Sequence, residues 1–165
     1  MNPLPIDTHE KISHHVDALF GQGISRALPL ADLQLEFSRR TGRIKNFSIN
    51  GRLVATLRTD GGLALTIFGA QYLLDRNNAF SVNCVAPVQE AVPFVSEGRS
   101  LFCRHVDKCG SNIKVGSDVA IVDGGKVIAV GVSLLAEPLM KKYTRGVAVK
   151  VREGLRGRLE RPDKD

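Results

Sequence analysis

IKVGSDVAIVDGGKVIAVGVSLL, residues 113–135, is the stretch whose reading decides the fold of this chain. Two short apolar runs, 118–123 and 126–132, flank Asp123-Gly124-Gly125. Both glycines tolerate the positive φ that a tight hairpin turn demands, so an antiparallel strand pair is expected here. Working outward, a helix is predicted near 137–144 and a further strand at 147–152. Upstream, strands are expected at 80–86 and 100–106. Between these two lies a short helix at 93–97, where Pro93 suits a first turn and Gly98 the left-handed position that ends a helix. Short strands with regular turn signals imply a small mixed sheet closing toward a barrel, interrupted by short helices.

The first half has a different rhythm. Residues 8–28 read as helical, with Thr8 as N-cap, apolar Ile12, Val16, Leu19 and Phe20 at helical spacing, and Gly21 and Gly23 breaking or ending the helix. From Ile44 the periodicity turns to strand type on either side of Asn50-Gly51, a strong short hairpin signal. Asp60-Gly61-Gly62 then leads into a third strand, 63–67, and a short helix over 69–75. The polar stretch 75–78 marks the expected domain boundary. The fold class is therefore α+β: an N-terminal module at 1–77 holding a helix and a three-stranded antiparallel sheet, a mixed β pseudo-barrel at 78–153, and a basic tail at 154–165.

Composition narrows the function. A hydrophobic fraction of 43% and 16 glycines describe an ordinary folded protein. No apolar run approaches the length of a membrane span and no signal peptide is recognisable, so the expected location is cytoplasmic, with no membrane partner. Net charge is +6, with a pI near 9.5, which draws polyanions. Positions 39–58 carry six Lys/Arg and no acid, and positions 141–164 carry nine against three acids. Either cluster alone also suits a solvated surface. Cys84, Cys103 and Cys109 are odd in number and without repeated spacing, a poor disulfide framework, so free thiols are expected.

The stretches PFVSEGRSLFCRHV, IKVGSDVAIVDGGKVIAVGVSLL and RGVAVKVREG together resemble a PUA domain in order and spacing. Upstream, LFGQG, SRRTGRIKNF and LVATLRTDGGLALTIFGAQYLL resemble the segment preceding the PUA domain in archaeal tRNA-guanine (archaeosine) transglycosylases. That resemblance implies tRNA recognition by these modules and catalysis by a separate N-terminal barrel with catalytic aspartates and a structural zinc. A (β/α)₈ barrel takes about 250 residues, more than the 165 here, so no catalysis by this chain alone is expected. The implied partners are a structured RNA, tRNA foremost, together with a catalytic transglycosylase subunit or another RNA-modifying enzyme. A protein-interaction module in which RNA contact is secondary is the alternative.

In the resembled domain an RNA end lies between the short helix with its following loop and the last strand. Gly98, Arg99 and Ser100 offer there a close-approach backbone, a guanidinium and a hydroxyl, although Gly98 also suits a plain helix cap. Lys150 and Arg152 alternate with Val149 and Val151, so strand periodicity places both cations on one face, with Arg145 and Gly146 just before them. Arg39, Arg40 and Arg43 form a secondary candidate contact. Phe94 and Phe102 are near enough to stack on a base, but their pattern favours core packing.

Cys103, His105 and Cys109 are the best metal-like group; on a strand the first two would share a side. No fourth ligand is near, and no acid is placed to orient a Cys/His pair, so neither metal, cofactor nor catalytic residue is expected. His9, His14 and His15 read as exposed positions on a surface helix.

Overall fold

The computed structural model describes residues 7–160, the last three by backbone alone. Helix α1 (Thr8–Phe20) buries Ile12, Val16 and Phe20. Its cap is Asp7, not Thr8: the Asp7 carboxylate accepts from the His9 backbone N–H at 3.0 Å, satisfying a donor that the first turn leaves free. The helix stops at Gly21 (φ 128°) and the expected continuation becomes a separate 3₁₀ turn, Ile24–Ala27.

Four strands follow in antiparallel order: β1 (Gln34–Phe37), β2 (Ile44–Ile49), β3 (Arg52–Leu57) and β4 (Leu63–Leu65). The β2–β3 turn has Asn50 at φ 49° and Gly51 at φ 78°, the conformation that its sequence implied. The sheet has one strand more than expected. β1 reads QLEF and none of its residues is fully buried, so it leaves little hydrophobic signal; backbone pairing with β2 makes it a strand. Helix α2 (Ile67–Arg76) starts earlier than expected because the Thr66 hydroxyl accepts from Gly69 N–H at 2.9 Å, converting the end of the third strand into a capped first turn.

In the second half a 3₁₀ turn, Asn78–Asn83, replaces most of the strand expected at 80–86, leaving β5 (Cys84–Pro87). Helix α3 (Val92–Ser96) ends at Gly98 (φ 98°), whose N–H donates to the Val95 carbonyl at 3.0 Å. The strand expected at 100–106 is divided into β6 (Leu101–Phe102), a 3₁₀ turn Cys103–His105, and β7 (Val106–Cys109). Then come β8 (Asp118–Asp123), β9 (Lys126–Ser133), α4 (Glu137–Met140), β10 (Val147–Gly154) and α5 (Leu155–Glu160). The helix expected near 137–144 is thus a single turn. Of the expected tail, residues 161–165 lie outside the described part. The strands form one mixed sheet in the order β6-β10-β9-β8-β5-β7, where only β5 and β8 run parallel.

The β8–β9 hairpin, turned by Gly124 (φ 56°) and Gly125 (φ 84°), is buried on both sides. Val119, Ile121, Ile128 and Ala129 belong to a core shared with α3, Leu101 and Met140. Ala120, Val127 and Val130 belong to another that contains α1, α2 and the first sheet. Alternation along β8 therefore sends successive residues into opposite cores, and the run DVAIVD is apolar at every interior position for that reason.

Polar contacts cross residues 75–78 as well. Asn83 donates to the Phe20 carbonyl at 2.8 Å; Asn112 donates to the Leu19 carbonyl at 3.0 Å and to Asn83 Oδ1 at 2.7 Å. Asp118, its side chain 4% exposed, accepts from Arg58 at 2.9 Å through Oδ1 and from Leu63 N–H at 3.0 Å through Oδ2. Arg152 donates to the Leu65 carbonyl and adds positive charge near Asp118.

Removing Arg58 leaves a buried carboxylate without its ion-pair partner, so Arg58→Met should lower stability by about 3–5 kcal/mol in urea titrations at neutral pH. Burial pushes the Asp118 carboxyl up to about 6, with Arg58, Arg152 and the Leu63 N–H pulling the other way. A carboxyl that titrates higher when folded favours folding at low pH. Its contribution is complete below about pH 4 and is lost as pH rises through 6, on the order of 3 kcal/mol. Denaturant titrations across that window should show this slope for the native chain and not for Asp118→Asn.

Candidate nucleic-acid interface

The predicted site residues lie along the ladder between β6 and β10. Leu101 pairs with Val149 and Phe102 with Val147; Cys103 N–H donates to the Gly146 carbonyl at 3.0 Å. Below Leu101, the Ser100 hydroxyl accepts from Val151 N–H at 3.4 Å, and the Gly98 backbone lies against Gly154. A Cβ on Gly154 would sit 2.5 Å from the Ser96 carbonyl oxygen and 2.8 Å from Gly98 Cα. Gly154 is therefore the close-approach glycine, whereas Gly98 is required by its positive φ.

Gly98, Arg99, Arg145, Gly146, Lys150 and Arg152 are all solvent-exposed along this ladder, and Ser100 is half-buried. Val149 is fully buried and Val151 partly so, as alternation implies. Lys150 and Arg152 are not equivalent. The β9–β10 register shifts between Val151 and Glu153, so Arg152 sits at a bulge, its guanidinium held at Leu65. Lys150 has no ion pair among the described residues.

Phe94 and Phe102 depart from expectation: they are 51% and 44% exposed, not packed in the core. Leu101 and Cys103 take the inward positions on either side of Phe102, and Val95 and Ser96 take the inward face of α3. Alternation through Ser100-Leu101-Phe102-Cys103 was the available signal for an outward Phe102. The two rings line a cleft of about 200 Å³ together with Val95, Arg99, Ser100 and Arg104. The Arg99 guanidinium lies 5.6 Å from the Phe94 ring centre and that of Arg104 lies 5.9 Å from Phe102. Exposed aromatic faces beside guanidinium groups can sandwich an unpaired base and hold its phosphate.

The secondary cluster lies elsewhere. Arg39, Arg40 and Arg43 are exposed on the β1–β2 loop, closed by Ser38 N–H to the Arg43 carbonyl and Gly42 N–H to the Ser38 carbonyl, each 2.8 Å. Of the three, Arg40 and Arg43 line a groove against α1. His9 and His15 are half-buried, against expectation: His15 donates to the Gly61 carbonyl at 2.6 Å, and a ring nitrogen of His9 is 3.4 Å from the Leu33 carbonyl. His14 is exposed.

Cys103 and His105 fall in a 3₁₀ turn, so strand alternation does not bring them to one side. Burial pushes the Cys84 thiol up to about 12 and, with the nearby Glu137 carboxylate adding to it, the Cys109 thiol up to about 11. Burial raises Cys103 as well. Protonated thiols are poor nucleophiles and poor metal ligands. Among the described residues no three His, Cys, Asp or Glu side chains are grouped to hold a metal ion.

Residues 88–155, which span α3, the ladder and the β8–β9 hairpin, match the PUA domain model, and residues 12–78 match the patch-forming domain C2 of tRNA-guanine transglycosylase. The chain carries a PUA domain. A tRNA-guanine(15) transglycosylase of Thermoplasma acidophilum is 34% identical over 146 residues, covering 87% of this chain and 23% of that enzyme. The enzyme of Methanothermobacter thermautotrophicus is 29% identical over 150 residues, covering 90% and 23%. The chain thus spans about a quarter of the length of these relatives and resembles their C-terminal regions. In fold it is similar to a hypothetical protein of Pyrococcus horikoshii (23% identity, 96% of both chains, TM-score 0.73) and a conserved PUA domain protein of Thermoplasma acidophilum (21%, 88% and 87%, TM-score 0.63). Among the described residues no helix is long and apolar enough to cross a membrane.

The raised thiols make a direct check on any cysteine chemistry in this chain. In the native protein near pH 7.5, Cys84 and Cys109 should react with a disulfide reagent at least about 100-fold more slowly than free cysteine, and at the free rate after denaturation.

Proposed function

We propose that this protein is an RNA-binding accessory module that grips tRNA near the unpaired end of its acceptor arm and positions it for a modification enzyme such as a tRNA-guanine transglycosylase. The observation that carries the reading is the exposed Phe94–Phe102 cleft, beside Arg99, Lys150 and the Arg145-Gly146 turn on the β6–β10 ladder of a PUA domain. Two exposed rings suit an unpaired base, and the surrounding cations suit its phosphates. Among the described residues no acid lines the cleft. The chain contributes binding and orientation; proton transfer and bond breaking fall to the enzyme it serves.

Arg152 has a different part in this scheme. One guanidinium nitrogen joins the last strand to Leu65 of the first sheet, so it steadies the RNA-facing strand, while the residue stays exposed and its other donors can meet a phosphate. Since the chain matches only 23% of the length of its transglycosylase relatives, docking on a catalytic subunit, with RNA contact secondary, is the second reading.

Titration with tRNA decides between them. Micromolar or tighter binding at low salt is expected, weakening steeply as salt rises because counterions are released from the phosphates. Arg99→Glu with Lys150→Glu should weaken it at least about 10-fold, and Phe94→Ala with Phe102→Ala should abolish the preference for tRNA with an unpaired 3′ end over a blunt duplex. An absence of tRNA binding at low salt rejects the proposal.

A further inference from the structure

A groove between α1 and the β1–β2 loop, about 740 Å³ in volume, has no part in the ladder site. One wall carries Lys11 and His15 from α1; the other carries Arg40 and Arg43 from the loop. Between them lie apolar surfaces of Phe37, Ile44 and Leu57, and Phe37 is 45% exposed. Among the described residues no Asp or Glu lines this groove. Two further cations that line it are already engaged: Lys45 with Glu36 at 3.7 Å, and Arg58 with Asp60 at 3.1 Å and Asp118 at 2.9 Å. Lys11, Arg40 and Arg43 have no ion pair among the described residues.

Three unpaired cations around one concavity repel each other, and a bound polyanion removes that repulsion. The apolar floor and exposed ring between the cationic walls limit which polyanion fits. A compact inorganic anion would leave Phe37 without a partner. A duplex keeps its bases paired and stacked on one another, so it offers no free base to the Phe37 ring. A single strand places phosphates on the walls and stacks a base on the ring. The walls are also steady: α1 is tied to the β3–β4 turn by His15 donating to the Gly61 carbonyl, and the loop is closed by its own backbone bonds.

We infer that this groove of the N-terminal module is a second RNA site, separate from the PUA ladder, that takes a few nucleotides of unpaired strand by phosphate contacts from Lys11, Arg40 and Arg43 and stacking on Phe37. The inference rests on the reading that the chain binds RNA. It divides the work: the ladder holds an RNA end, and the groove holds a second single-stranded segment, so a structured RNA is fixed at two points.

The test uses the full chain, a short oligouridine and tRNA, followed by fluorescence anisotropy over a salt series. Lys11→Glu with Arg40→Glu and Arg43→Glu should weaken oligouridine binding at least about 10-fold and lower the salt slope by about 2, since each single-stranded phosphate contact contributes about 0.7. Lys11→Gln with Arg40→Gln and Arg43→Gln should act in the same direction if charge reversal disturbs folding, and Phe37→Ala should weaken binding about 5-fold with the slope unchanged. An unchanged oligouridine affinity and slope in the Gln variant, with tRNA still bound, overturns the groove site and leaves the RNA reading standing. Competition by oligoglutamate as strong as that by oligouridine overturns it in favour of an acidic protein segment. Failure of the native chain to bind either RNA removes the reading on which it rests.

Discussion

The rest of the structure depends on the β8–β9 hairpin being buried on both faces. In a two-stranded pair with one wet face, half of the side chains could be polar without penalty. Here Val119 and Ile121 close one core while Ala120, Val127 and Val130 close the other. The hydrophobic driving force that folds the PUA domain therefore also folds the N-terminal module onto it. A change at this hairpin is felt in both cores at once.

Burying both faces brings the edge of the hairpin to the first sheet, and Asp118 is the residue placed there. Its carboxylate ties Arg58 and the start of β4 to the first residue of β8, and Arg152 on β10 donates to the carbonyl of the last residue of β4. The arrangement is costly in desolvation, which is why the Asp118 carboxyl titrates near 6 and not near 4. It orients the two sheets in a way that apolar contacts, being non-directional, do not. The bulge at Arg152 belongs to the same arrangement: it brings one guanidinium nitrogen to the Leu65 carbonyl of the first sheet, while the residue itself, like Lys150, stays exposed.

Against that rigid frame, the charge and the aromatic rings remain at the surface. Phe94 and Phe102 are exposed because neighbouring residues already fill the inward positions; Arg99 and Arg104 beside them, and Lys11, Arg40 and Arg43 in the α1 groove, have no ion pair among the described residues. The cysteines, two buried and Cys109 half-buried, stand in contrast. Cys84, Cys103 and Cys109 are packing residues whose thiols are held protonated by the same burial that stabilises the cores.

The amino-acid sequence by itself determined the turns and the strands next to them: Asn50-Gly51 and Gly124-Gly125 lie where only residues tolerant of positive φ can go, and Gly98 ends α3 for the same reason. It also determined the family resemblance, since that lies in the order of many short segments. The tertiary structure alone decided what depends on partners distant in sequence. β1 is a strand because β2 offers it hydrogen bonds, not because QLEF is apolar. Cys103 leaves the expected strand for a 3₁₀ turn. Phe102 faces solvent although its type favours the interior. Arg152 stays exposed as Lys150 does, but a bulge and the Leu65 carbonyl, 87 residues away, engage its guanidinium. Local conformation is governed by sterics within a few bonds and is legible in the chain. The direction a side chain takes is set by what occupies the neighbouring space, which only the packed structure specifies.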